Sequence, residues 1–165
     1  MRKLLIALTL LSIAFGAFAA DQSSAEDKAR AVQLTKQLES DPLARDAKNA
    51  RQWLTIFLGK APDIEVDLCG AFIHDVLADK KYKYTGEIIT QSMFAQGAYT
   101  IEHPDISAKA DETFLAGLQS ALKVYEAILA KDPKARRADL DALIASRDKN
   151  ELTAYVQAHS AECRK

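Results

Sequence analysis

The chain has little of what chemistry usually depends on. Its 165 residues include three histidines, two cysteines and one tryptophan. No Cys-x-x-Cys pair is present, which excludes a thioredoxin-type redox site, and no Cys-x-x-Cys-His, which excludes c-type haem attachment. The six glycines are scattered singly, so no glycine-rich loop exists to cradle a phosphate. Charge of neither sign dominates: 22 basic residues stand against 23 acidic ones, for a formal net charge of −1. A nucleic-acid binder would carry a basic excess, so none is expected as partner. No apolar run reaches the roughly 20 residues that span a bilayer. Nothing repeats at a period of roughly 20–50 residues, which excludes a solenoid.

What is present begins with an export grammar. Arg2 and Lys3 precede an apolar run from Leu4 to Phe15, broken by Thr9 and Ser12 alone, and Ala17-Phe18-Ala19 puts small residues where a signal peptidase reads. Residues 1–19 are therefore expected to be a secretory signal peptide and residues 20–165 a single helical domain, periplasmic or extracellular, with no membrane span in the mature chain. No cysteine lies at the cleavage point to take a lipid. About 146 residues remain, enough to bury roughly two thirds of the unfolded surface.

Hydrophobic spacing in that remainder predicts helices throughout. Ser23-Ser24-Ala25-Glu26 reads as a capping box opening a mostly polar helix that runs to about Leu38. Asp41-Pro42 is a second start signal, and Leu43, Ala47, Ala50, Leu54 and Phe57 step by three and four up to Gly59 and Pro62. Ile64, Val66 and Leu68 alternate, so residues 63–67 are expected to be briefly extended. A third helix is predicted from about Asp67 to Ala78, then a basic, tyrosine-rich loop. Ile89, Met93, Gly97 and Ile101 mark a fourth helix, which His103-Pro104 ends because a residue before proline leaves the helical region. Leu115, Leu118, Leu122, Tyr125 and Leu129, widened by Phe114, Ala121 and Ile128, give a fifth helix whose face is broad enough to belong at the centre of a bundle. Gly117 and Ala121 are small residues four apart that admit a neighbouring backbone. Lys131-Asp132-Pro133 is a turn, Leu140, Leu143 and Ile144 mark a sixth helix, and Asn150 is expected to cap a last helix reaching Cys163. The fold class is all-α, a compact bundle of five to seven helices.

Cys69 and Cys163 form an isolated pair in a chain bound for an oxidising compartment, and each falls within the apolar arc of its own helix, so a disulfide between them is expected. The competing reading is a metal site. His159 and Cys163 are four apart and share a helix face. Adding Cys69 and His74 would complete a Cys₂His₂ set, but at 100° per residue those two diverge by about 140°. Disulfide formation removes both the metal site and a thiol nucleophile with His74 as base. His103 lies in Glu102-His103-Pro104-Asp105, where its expected task is to satisfy the last carbonyls of a helix. The paired carboxylates Glu39 and Asp41, Glu65 and Asp67, and Asp139 and Asp141 are two apart and point away from each other in a helix. Lys80, Lys81 and Lys83 interleave with Tyr82 and Tyr84, and Lys131, Lys134, Arg136 and Arg137 form a second basic cluster. Both read as solvated loops, with His74, Tyr82, Tyr84 and His103 as candidate binding residues. No catalytic residue and no cofactor is expected.

Cys69-Gly70-Ala71-Phe72-Ile73-His74-Asp75-Val76, followed by Gln91 through Tyr99, His103-Pro104 and the stretch from Leu118 to Tyr125, resembles the Tai-like periplasmic immunity proteins of type VI secretion over residues 69–125. It departs from them in having Phe72 for a tyrosine, His74-Asp75 for a glycine-rich ending, and a later second cysteine. The resemblance implies a helical protein that binds another protein. Together with the lack of a catalytic constellation, it places a non-catalytic protein-binding or shielding role first. A histidine-centred enzyme or metal-binding protein and a structural component of the cell envelope are the alternatives.

Overall fold

The computed structural model describes residues 22–67, 69–72, 76 and 78–163. Residues 1–19 and His74 therefore lie outside the described residues. Among those described there are six helices and no strand: α1 (Ala25–Ser40), α2 (Ala47–Lys60), α3 (Thr85–Glu102), α4 (Asp111–Lys131), α5 (Ala138–Asp148) and α6 (Leu152–Cys163). The all-α class follows directly. None of these helices is long and apolar enough to cross a membrane.

Helix α4 is the centre, as its broad apolar face predicts. Phe114, Leu118, Leu122, Tyr125 and Ile128 are all buried, and the helix packs against α1, α3, α5 and α6. Two cores meet at α3, which gives Ile88 to one and Phe94 to the other. The larger joins Phe72, Val76, Tyr84 and Ile88 to the α4 side chains and to Leu140, Leu143, Leu152 and Val156. The smaller joins Ala31 and Leu38 of α1, Ala47, Ala50, Leu54 and Leu58 of α2, Ile64 and Phe94. Between them, α3 and α4 run antiparallel in close contact. A Cβ added at Gly117 would lie 2.9 Å from the Ser92 carbonyl oxygen and 2.9 Å from the Gln96 Cγ. One added at Gly97 would lie 2.6 Å from a methyl of Leu58. The small residue at 117 is thus a packing device, as its spacing from Ala121 suggests.

A polar link crosses the seam between the cores. Gln91, 2 % exposed, donates from Nε2 to the Thr35 carbonyl (3.1 Å) and to Ser120 Oγ (2.8 Å). An unpaired amide at this depth would cost about 1–3 kcal/mol, so this bonding fixes α1, α3 and α4 in one register. At the far side, Arg147 of α5 grips Glu126 of α4 through two parallel bonds of 2.7 and 2.8 Å.

Several boundaries differ from the sequence expectation, each for a local reason. The N-cap of α1 is Ser24, not Ser23: its Oγ accepts from the Asp27 amide (3.0 Å) and donates to the Asp27 carboxylate (2.8 Å). Ser23 instead gives its amide to Asp63 (3.0 Å). Asp41-Pro42 does not start α2. Asp41 closes α1, with its amide on the Gln37 carbonyl and its carboxylate on Lys131, and α2 begins six residues later at Ala47. It ends at Lys60, one residue past Gly59. Asp67 and Cys69 are not helical. The expected third helix appears among the described residues as a 3₁₀ turn, Gly70–Phe72, with Val76 and Ala78 helical beyond it.

Asn150 does not cap α6. It has φ 61° and terminates α5. Its amide bonds the Arg147 carbonyl and the Glu151 amide bonds the Ser146 carbonyl, both at 2.9 Å. That pair of bonds around a left-handed residue is the Schellman ending, in which asparagine substitutes for the usual glycine.

Candidate functional site

The two cysteines are bonded to each other, with Cα atoms 5.2 Å apart. Neither is therefore a thiolate ligand or a nucleophile. The bond anchors the end of α6 to the segment before the Gly70–Phe72 turn, and Tyr155 reinforces it by donating from its hydroxyl to the Phe72 carbonyl (3.3 Å). His159 sits one turn along from Tyr155, with ring centroids 4.2 Å apart and Nδ1 2.7 Å from the Tyr155 carbonyl oxygen. His103 repeats the arrangement at the end of α3. Its ring lies 4.4 Å from Tyr99, and its backbone amide, rather than its imidazole, bonds the Tyr99 carbonyl (2.8 Å). Both histidines are thus held against a tyrosine four residues earlier, on different helices. Among the described residues no three of the His, Cys, Asp and Glu side chains are placed to hold a metal ion.

Tyr82 and Tyr84 tie the basic loop to the connection between α4 and α5. Tyr82 donates to the Ala135 carbonyl (3.0 Å) and Tyr84 to the Asp132 carboxylate (2.8 Å). The Arg137 guanidinium lies over the Tyr82 ring, 4.8 Å from its centroid, and pairs with Asp79 at 2.8 Å and Asp139 at 2.9 Å. Burial, with Tyr125 adjacent, pushes the Tyr82 phenol far up, so it stays protonated. The Tyr84 hydroxyl in turn holds the Asp132 carboxyl below its usual range. In the second basic cluster, Lys131, Arg136 and Arg137 are matched by Asp41, Asp141, Asp79 and Asp139. The carboxylates of the Asp139 and Asp141 pair face different partners: Asp139 takes Arg137, whereas Asp141 takes Arg136 and the Tyr125 hydroxyl.

One opening among the described residues lies elsewhere, at the edge of the smaller core. Trp53, Ile56, Phe57 and Lys60 of α2, Ala61 and Pro62 after it, and Gln22, Ser23 and Asp27 around the start of α1 line a shallow groove of roughly 330 Å³. That volume is at the small end for ligand clefts, which run from about 300 Å³ upward. Trp53 and Phe57 stack with centroids 5.1 Å apart and planes 9° from parallel, while Arg30 of α1 covers Trp53 at 4.3 Å from the ring centroid. Ile56, at 49 % exposed, is the large hydrophobic side chain that lies exposed among the described residues. The apolar stripe of α2 runs through Ala47, Ala50, Leu54 and Leu58, and Ile56, two residues from Leu54, points to the other side.

Sequence reasoning did not single out this groove. A signal for it existed in an isoleucine set opposite the stripe, beside the single tryptophan. No protein-family model, no curated protein and no solved structure matches the chain.

Proposed function

We propose that this chain is an exported, non-catalytic protein-binding module whose partner docks at the groove between the start of α1 and the end of α2. The observation that carries the proposal is the stacked Trp53–Phe57 pair with Ile56 beside it. Aromatic and branched side chains held rigidly at an opening are the anchors from which interface energy is drawn. Export is supported by the leader grammar of residues 1–19 and by the Cys69–Cys163 disulfide, which persists in an oxidising compartment.

The resemblance of residues 69–125 to Tai-like immunity proteins supports the same class of role. In this chain those residues build α3 and α4, the support on which α1 and α2 rest, rather than the groove. A histidine-centred enzyme has less behind it, since His103 and His159 are each stacked within their own helix.

The test is affinity capture from the envelope fraction of the source cell, with the wild-type chain and Ile56→Asp side by side. A protein retained by the wild type and lost with Ile56→Asp is expected. Equal retention by the two, or turnover of a substrate by the purified chain, would refute the proposal.

A further inference from the structure

The charge around the groove has a sign. Helix α2 contains Lys48, Arg51 and Lys60 and no carboxylate. Arg51 turns inward, bonding the Pro42 carbonyl (2.9 Å) and facing Glu87 at 3.7 Å. Lys60, at the mouth, and Arg30, on the Trp53 ring, pair with no carboxylate among the described residues. Of the carboxylates near the groove among the described residues, Asp63 is offset by a lysine, whereas Asp27, on the groove wall, keeps its charge. Asp27 takes the Ser24 hydroxyl (2.8 Å) at the cap of α1, and Asp63 takes Lys28 at 2.6 Å together with the Ser23 amide. Arg30 and Lys60, with no carboxylate partner among the described residues, therefore outweigh Asp27 around an apolar opening with room for one or two side chains.

Resting on the docking role proposed above, we infer that the partner presents an acidic segment with a protruding apolar side chain. That side chain enters between Ile56 and the Trp53–Phe57 pair, and neighbouring carboxylates reach Arg30 and Lys60. Opposite charge at a rim sets which partner is accepted and how fast it arrives. An anionic membrane surface shares the charge but fits the shape less well. A lipid-binding helix offers a continuous apolar face to the bilayer, whereas the apolar stripe of α2 is buried and what faces outward is a local concavity.

Trp53 is the single tryptophan, so emission excited at the red edge, where the five tyrosines do not absorb, reports on the groove. The experiment titrates the exported, disulfide-closed chain with two helical peptides that share one leucine- and phenylalanine-bearing face. One carries Asp and Glu on its polar face and the other Lys and Arg; vesicles containing phosphatidylglycerol are the third probe. The acidic peptide is expected to shift Trp53 emission saturably and to bind roughly tenfold tighter than the basic one at low salt, with the difference shrinking as salt rises. Combining Arg30→Glu with Lys60→Glu is expected to abolish or reverse that preference. Combining Lys134→Glu with Lys149→Glu, the same change in net charge away from the groove, is expected to leave it intact.

Equal binding of the two peptides, with Ile56→Asp abolishing both, would overturn the acidic partner while leaving the groove as a docking site. A saturable response to the vesicles and none to either peptide would overturn it in favour of lipid. Silence with all three probes would overturn it as well, and the affinity capture above would then decide the docking role separately.

Discussion

Replacing Cys69 and Cys163 together by serine opens a loop with a sequence separation of 94 residues. On the chain-entropy account, closing a loop of that length removes disorder from the unfolded state equivalent to ~4.5 kcal/mol of folding stability. The native contacts around it survive the change. Leu152 and Val156 remain in the larger core, and Tyr155 still donates to the Phe72 carbonyl, so the double variant is expected to fold. For a chain of this size about 1 kcal/mol corresponds to roughly 2–4 °C. Tm should therefore fall by roughly 10–15 °C. Urea unfolding of the two proteins measures the effect directly, with a lower midpoint for the variant. Its slope should be steeper, because an uncrosslinked unfolded chain exposes more surface. A stability difference below about 1 kcal/mol would refute the reasoning. So would finding that a thiol reagent labels the native wild-type chain.

Gly117→Ala pushes a methyl group against the Ser92 carbonyl oxygen at 2.9 Å, backbone that cannot move aside, and should destabilise by about 1–3 kcal/mol in urea unfolding. Asn150 occupies a left-handed position at φ 61°; Asn150→Gly should be neutral or slightly stabilising, and Asn150→Val destabilising by about 1–2 kcal/mol, with equal effects of the two counting against the Schellman assignment. The Lys28 ammonium, with the Ser23 amide, holds the Asp63 carboxyl well below the usual carboxylate range. The depressed value means that its contribution is present above the unfolded value of about 3.9 and lost as pH falls below it. Asp63→Asn should therefore be less stable than wild type at neutral pH, with the gap narrowing from about pH 4 downward in thermal melts. A gap that persists unchanged at pH 2 would rule out this linkage.

Much of the helical layout was legible because burial follows spacing. The α4 stripe, the His103-Pro104 stop and the Lys131-Asp132-Pro133 turn each express a rule confined to one helix turn. The disulfide was legible too, since both cysteines face the core from their own segments. The misread boundaries share a different physics. Asp41 looks like an N-cap locally, but Lys131, distant in sequence, takes its carboxylate. Asn150 could begin one helix or end another, and backbone handedness, which sequence does not display, decides between them. The Gln91 bridge to Thr35 and Ser120 was hidden because a glutamine inside an apolar pattern looks like noise until its partners are placed. The groove was hidden for the converse reason. Trp53 and Phe57 sit near the stripe of α2 and read as core, and only the packing of α1 shows that they stop at its edge.

The disulfide divides the chain into a ring and a remainder. Helices α3, α4, α5 and α6 lie within the span from Cys69 to Cys163, while α1 and α2 lie wholly outside it. The cross-link constrains the first group in every conformation the chain visits and leaves the second free to come away. Opening of α1 and α2 then sacrifices the smaller core, the Gln91 bond to Thr35 and the groove itself, while the larger core persists. Native-state hydrogen exchange should show α1 and α2 amides opening together, below the free energy that protects α4. Whatever settles on Trp53 and Ile56 would raise the protection of that outer pair first, so ligand occupancy would be written in the least secured part of the molecule.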